Sequence, residues 1–206
     1  MPAIIARMCN SYRITPKRGA DKGVRAKVAA AAATLASSLV RPSDPGVVVL
    51  ADERAEIMRW GFHRVFNPSI NNARSDKLES GMWAGAFRER RCVIPVSLFY
   101  EWGPGVGGRK RAHEFASPED DYLWIAGLWE PNGELGPCHA MVTTEASPLM
   151  APIHSRMPAV LRPDQVLGFL DGGRWTFLPF EGALVVTPCE SPLKHAAGGA
   201  AQRELF

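Results

Sequence analysis

No apolar run in this chain approaches the roughly 18 residues that a membrane-spanning helix needs, so no transmembrane segment is expected. The opening MPAIIARM is short and lacks the apolar stretch of a secretory signal. The four cysteines, Cys9, Cys92, Cys138 and Cys189, form no CxxC pair and show no zinc-site spacing. The five histidines, His63, His113, His139, His154 and His195, make neither HxH nor HExxH. Cys138-His139 is an adjacent pair of ligand types, which by itself does not make a metal site. No metal and no cofactor are therefore expected. Scattered cysteines in a chain of this size fit a reducing compartment, and the cytoplasm is the expected location. Gly103–Gly108 is glycine-rich but lacks the GK[ST] ending of a phosphate loop, and reads as a hairpin connection. Internal repeats and low-complexity linkers are absent.

What is present is ordinary globular composition. With 46% hydrophobic and 22% charged residues over 206 positions, the chain can bury a substantial core in one large domain or two small ones. A net charge of +3 permits an anionic partner without demanding one. An alanine-rich helix is expected within residues 19–40, stopped by Pro42 and Pro45. A second helix is expected over 76–90, with Leu78, Met82, Trp83, Ala86 and Phe87 on one face, and a third from near Pro163 to Gly172. Strands are expected at 47–51, 55–62, 91–96, 122–129, 139–144, 157–161 and 183–187. Many short strands, few helices and no βαβ alternation indicate an α+β fold. Its core should be a mostly antiparallel, barrel-like sheet with peripheral helices. The 17 prolines suit such a strand-and-loop chain.

The most telling local feature is Cys9, directly after Met8. Were Cys9 the first residue, its thiol and a free α-amine would sit on adjacent carbons. Such a 1,2-aminothiol condenses with an aldehyde to an imine, and the thiol then closes a five-membered thiazolidine. Both groups titrate close enough to neutrality to be usable, at roughly 7.7–8.0 for the amine and 8.5 for the thiol. The alternative is an internal cysteine packed as a small hydrophobe.

Other polar residues interrupt aromatic, apolar runs. Glu101, between Tyr100 and Trp102, is either a strand-end glutamate or a carboxyl whose pKa is raised by desolvation for acid work. His154 is a turn histidine or a proton-transfer group. Asn72 and Arg74 form a turn and a solvated charge, or an orienting amide and a phosphate-gripping guanidinium. Trp60 is a core residue or a platform for a base.

Taken together these segments resemble the SRAP (SOS response-associated peptidase) family. The matching stretches are Met8-Cys9-Asn10, Arg59-Trp60-Gly61-Phe62, Asn72-Ala73-Arg74-Ser75-Asp76, Arg91-Cys92-Val93-Ile94-Pro95, Phe99-Tyr100-Glu101-Trp102, Ala126-Gly127-Leu128-Trp129-Glu130, Thr143-Thr144-Glu145-Ala146 and His154-Ser155-Arg156-Met157-Pro158. They occur in the family's order, and jointly they are specific although no single piece is.

The resemblance implies an SRAP-type domain that recognises abasic sites in single-stranded DNA and joins them covalently to an N-terminal cysteine. It places Cys9 as nucleophile, Asn72 as the amide beside it, Glu101 as acid/base and His154 as the second polar catalyst. Arg74 and Arg156 would bind flanking phosphates. Trp60 and Phe62 would stack on bases. The expected partner is single-stranded DNA containing abasic sites, engaged by a monomer away from any membrane. The family name also implies a competing thiol (auto)peptidase that uses the same cysteine. A non-covalent single-strand DNA-binding module is a further alternative. Residues 1–8 are expected to be a misassigned or removed extension, with Met8 as initiator, and 9–206 a single domain. A persisting extension would leave no free amine. The chain departs from the family at Asn10 and Ser11, where many members carry glycine and arginine, so that arginine's phosphate contact is either lost or taken over by Arg13.

Overall fold

Runs of β-branched and aromatic residues, bounded by Gly, Pro, Asn and Asp, give this chain more strand than helix. The computed structural model describes residues 11–15 and 22–193. In chain order these residues form β1 (Tyr12–Arg13), α1 (Gly23–Ala33), β2 (Leu39–Val40), β3 (Pro45–Val49) and β4 (Ala55–Trp60). Next come β5 (Phe62–Arg64), β6 (Asn67–Ile70), β7 (Asn72–Arg74), α2 (Ala84–Glu89), β8 (Arg91–Val96) and β9 (Leu98–Pro104). The remainder is β10 (Lys110–Ala116), β11 (Leu123–Glu130), β12 (Cys138–Glu145), β13 (Arg156–Pro158), β14 (Val160–Leu161), α3 (Val166–Leu170) and β15 (Val185–Cys189).

Five strands close a barrel. Strand β3 pairs antiparallel with β4 and, at Val49 opposite Val93, with β8. Strand β8 pairs with β11, and β11 with β12. The ring shuts where β12 runs parallel to β4, Cys138 opposite Arg59 and His139 opposite Trp60. All six residues of β8 are buried, which accounts for its continuous apolar run. Gly127 faces β8 where a Cβ would press on Cys92 Sγ and the Ile94 side chain, so only glycine lets these strands approach.

After β8 the chain turns at Ser97 and enters a second, antiparallel sheet in the order β15-β10-β9-β1-β2. Ser97 makes the corner, its N–H donating to Arg13 O (2.8 Å) and its hydroxyl accepting from the Thr15 N–H. Phe99 and Phe115, directly opposite on β9 and β10, stack with centroids 4.9 Å apart and set this sheet's inner face.

The helices are peripheral. Helix α1 packs Val28 and Ala32, one turn apart, towards β3 and β4. It is shorter than the 19–40 span expected of it. Thr34 bonds back to Ala31 O and Ser37 accepts from the Leu39 N–H, so hydroxyls compete with the helical ladder. The helix expected over 76–90 is broken into single turns and the short α2, with Gly81 in the left-handed region at φ 59°. The strand expected over 55–62 is cut at Gly61, φ 119°, and that over 157–161 at Ala159. Among the described residues no helix is long and apolar enough to cross a membrane.

Two buried polar side chains mark the core. The Arg91 guanidinium donates to Phe87 O (2.7 Å), Phe169 O (3.0 Å) and Gly173 O (2.7 Å), and lies over the Phe87 and Phe169 rings. Carbonyls of α2 and α3 thus serve a cation that has no carboxylate partner in this set of bonds. His139 is buried beside Trp60, their rings stacked in nearly parallel planes with centroids 6.5 Å apart, and neither ring nitrogen has a hydrogen-bond partner among the described residues. Burial pushes its pKa down to about 3.

The sign of this shift sets an expectation. His139 stays neutral in the fold but protonates near 6.5 when unfolded, so its contribution to stability is intact above that pH and falls as pH drops towards 3. The slope is about 1.4 kcal/mol per pH unit in that window. Replacement by His139→Phe, which keeps the stacked ring, should flatten the curve by that amount in denaturant titrations at several acidic pH values. An unchanged slope would show that His139 is not the titrating group.

Candidate functional site

The site is built on the inner face of the second sheet. Register sets three cross-strand layers between β9 and β10: Phe99 opposite Phe115, Glu101 opposite His113, and Gly103 opposite Arg111. Directly opposed residues in an antiparallel pair share a face, so the apolar Phe pair gives way to a polar layer. Glu101 is 1% exposed, and one of its carboxylate oxygens accepts from the Trp102 N–H at 3.2 Å.

Gly103 explains how His154 comes to this face. A Cβ there would lie 3.0 Å from Ile153 Cγ2 and 3.1 Å from Ile153 Cα. The bare glycine therefore lets the turn before β13 sit on β9. That turn is a helical loop, with Ser147 O and Met150 O accepting from Ala151, Ile153 and His154 N–H groups at 2.8–3.0 Å. His154 Nδ1 lies 3.1 Å from the Arg156 N–H and 3.2 Å from the Arg156 carbonyl, accepting from the first in one tautomer and donating to the second in the other, so the Arg156 backbone fixes the ring either way.

Beyond His154 the polar path continues across β12. Arg156 on β13 and Arg74 on β7 flank β12 on opposite edges, at Glu145 and Thr143. Arg156 is largely enclosed and donates to Thr143 O and Oγ1, with a further contact to Asp76 at 3.8 Å. Arg74 is exposed and grips Asp76 through two bonds, 3.0 and 2.8 Å. This pairing holds the Asp76 carboxyl at about 2. The guanidiniums line a groove of about 440 Å³ with Asp76 and Glu145, and the segment Trp175–Pro179 forms the other wall. Two cations and two carboxylates leave the lining without net charge.

Asn72 lies two residues before Arg74 on β7 and so shares its face. Its neighbour Asn71 accepts from Trp60 Nε1 (3.0 Å) and from Met141 N–H (2.9 Å), fastening β7 between β4 and β12. Cys9 lies outside the described residues. The chain joins the sheet at Ser11, whose carbonyl accepts from the Tyr100 N–H (3.1 Å), one residue from Glu101. Arg13 is occupied by Tyr100 Oη and Ser38 Oγ.

The expectation that Trp60 and Phe62 stack on bases is corrected. Both are 0% exposed. Trp60 packs edge-on against Tyr12, and Phe62 packs on Trp83 at 5.1 Å. These contacts and the Trp60–Asn71 bond commit both rings to the core. The exposed aromatic stands a few residues on. Val65 and Phe66 cap the β5–β6 hairpin, with Phe66 80% exposed and Arg64, the last strand residue before the turn, paired to Glu130. An apolar pair in a turn, where polar residues are usual, was the available signal. Among the described residues, no three His, Cys, Asp or Glu side chains are grouped to hold a metal ion.

Residues 8–190 match the family model described as SOS response associated peptidase (SRAP). The "Abasic site processing protein HMCES" of Xenopus tropicalis is 32% identical over 172 residues, covering 67% of this chain and 50% of that protein. The "Abasic site processing protein YoqW" of Bacillus subtilis is 28% identical over 136 residues, covering 59% of this chain and 61% of that protein. The chain spans only part of these relatives' lengths. A solved protein from Bacteroides thetaiotaomicron superposes with a TM-score of 0.74 at 16% identity, over 91% of this chain and 94% of the other. One from Bordetella bronchiseptica gives 0.70 at 22%, over 89% and 100%. At these identities the two structures speak to the fold alone.

The seating of the His154 turn is testable. Gly103→Ala should push Ile153 off β9 and cost about 1–3 kcal/mol, as overpacking does. Chemical denaturation reads this, and an unperturbed midpoint would mean that the turn does not rest on Gly103.

Proposed function

The chain belongs to the SRAP family, and from that membership we propose that it captures abasic sites in single-stranded DNA as a covalent thiazolidine on Cys9. The observation that carries this reading is Glu101. It is a carboxyl enclosed beside the strand that leads to Cys9, on the face over which the His154 turn is seated. Only two residues after Cys9 the chain is bonded to Tyr100, so covalent geometry keeps the cysteine within about 7 Å of Ser11. Relatives named for abasic site processing support abasic sites as the target.

In this mechanism Glu101 donates its proton to the ring oxygen of the abasic deoxyribose, the C1′–O bond to that oxygen breaks, and the C1′ hydroxyl gives up its proton to water to leave the C1′ aldehyde. The Cys9 amine adds to C1′ and loses water to give an imine. The thiol then adds to that carbon, its proton passing to nitrogen, and closes the thiazolidine. Asn72 holds the amine or the sugar oxygen. The His154 Nε2–H donates to the 3′ phosphate or the sugar hydroxyl. Arg74 reaches a flanking phosphate by exchanging Asp76 for it, while Arg156 adds charge behind it and ties β12 to β13. Because the groove has no net charge, binding leans on that exchange and on stacking at Phe66, and it weakens with salt. The chemistry requires Cys9 to be the first residue, so residues before it must be absent from the active form. A thiol peptidase acting at the same cysteine would instead show itself by autocleavage after Met8 that depends on Glu101 and His154.

Protein beginning at Cys9, mixed with a single-stranded abasic oligonucleotide, should give a heat-stable adduct on a denaturing gel. The same adduct from Cys9→Ala would overturn the mechanism. Glu101→Gln should slow adduct formation about 100-fold or more, the usual range for loss of a general acid. Phe66→Ala should weaken single-strand binding by about 1–3 kcal/mol, read by fluorescence anisotropy, with Trp60 and Phe62 left intact.

A further inference from the structure

His113 has no part in the chemistry above, yet it stands directly opposite Glu101 in the β9–β10 ladder. The neighbouring layer confirms that this register puts opposed side chains on one face, because Phe99 and Phe115 stack at 4.9 Å with their planes 3° apart. Cross-strand pairs of this kind hold their Cβ atoms about 4.5–5.5 Å apart. An imidazole and a carboxyl on such Cβ atoms reach hydrogen-bonding distance by side-chain rotation alone.

The two residues differ in their access to water. Glu101 is 1% exposed, whereas His113 is only half-buried. Within His113, Nδ1 is enclosed and has no hydrogen-bond partner among the described residues. An enclosed imidazole nitrogen is costly to leave unpaired, and here it belongs to the residue facing the proposed acid. A carboxyl shut away from solvent that must give up a proton also needs a route by which to regain one.

We propose that His113 is a positioning residue for Glu101, turning its enclosed Nδ1–H onto the Glu101 carboxylate and passing it a proton drawn from solvent. The proposal rests on the reading of Glu101 as the acid. The transfer is balanced. The Nδ1–H bond of the neutral ring breaks and an O–H bond on Glu101 forms while Nε2 takes a proton from solvent, leaving a neutral acid and the ring in its other neutral tautomer, which resets by turning its bare Nδ1 to water. Among the described residues, the ionisable groups along this face include Glu101 on β9, Arg111 two residues away on β10, His154 in the turn resting on Gly103, and Glu190 just after β15, two residues past Pro188. From the other side, β15 presents Pro188, which is neutral. Sequence spacing hides the pair, since 12 positions and a glycine-rich loop separate Glu101 from His113.

Single-turnover adduct formation across pH 5 to 9, with protein beginning at Cys9, tests this. His113→Ala should lower the rate about tenfold or more and abolish the part of the pH profile that titrates in the histidine range. Added imidazole should restore much of the rate. His113→Asn, which keeps an N–H near the Nδ1 position, should recover rate without recovering the pH dependence. A folded His113→Ala protein with the wild-type rate and profile would overturn the role of His113 and leave that of Glu101 standing. A slowed variant that ignores imidazole and keeps the wild-type profile would reduce His113 to packing, again overturning the proposal. Absence of any adduct from the wild-type protein would remove the Glu101 reading and this proposal with it.

Discussion

Strand β12 is the element on which the rest of the structure depends. It pairs with β11 and β4 along its first half, closing the barrel, and with β7 and β13 along its second. A strand has two hydrogen-bonding edges, and β12 shares each of them between two partners in turn. That division lets one strand complete a core at one end and, at the other, hold Arg74 and Arg156 on its two edges along one wall of a groove. The partners are locked where they change over. Asn71 accepts from Trp60 and Met141, and Ala159 donates to Val142 while accepting from Ala126. The buried His139–Trp60 stack sits at the barrel seam, so burial that seals the core also keeps a histidine neutral.

Close approach matters as much as pairing. Gly127 lets β8 and β11 meet over Cys92 and Ile94, and Gly46 admits the Tyr12 hydroxyl where a Cβ would collide with it. Gly103 performs the same service for the Ile153 turn. In each case the absent side chain fixes where another one goes. Arg91 is the converse, a large charged group placed in the interior to satisfy carbonyls at α2, at α3 and at Gly173. It anchors the start of the segment that walls the Arg74–Arg156 groove, linking core packing to the shape of the surface. Electrostatics in that groove are balanced rather than basic, so an anionic ligand competes with Asp76 for Arg74 instead of meeting a free cation.

Much of this was legible from the chain. Strand β8 occupies the expected 91–96, because a six-residue run buried on both faces leaves little ambiguity. Strands β3, β11 and β12 fall within a residue or two of expectation, since valine- and aromatic-rich runs bounded by turn residues are strong signals. The hairpin reading of Gly103–Gly108 matches the β9–β10 connection between Pro104 and Lys110. Short elements escaped. Strands β1, β2 and β7 are two or three residues long and exist only because neighbouring strands offer them edges. The helix over 76–90 looked continuous because its apolar residues keep helical spacing, yet Gly81 and tertiary packing divide it. Trp60 illustrates the limit of composition: an aromatic beside an arginine and a glycine suits a base platform or a core equally, and only burial tells them apart.

The sequence by itself determined the fold class, the family, and the candidate residues Cys9, Asn72, Glu101 and His154, because these rest on residue type, order and local spacing. Tertiary structure alone decided that Trp60 and Phe62 are core while Phe66 is exposed, that Asp76 and Glu145 balance the two arginines, and that His113 faces Glu101. The reason is physical. Local patterns encode periodicity and propensity, whereas burial, charge pairing and cross-strand opposition are properties of strand register and barrel closure, which bring together residues that the chain holds apart.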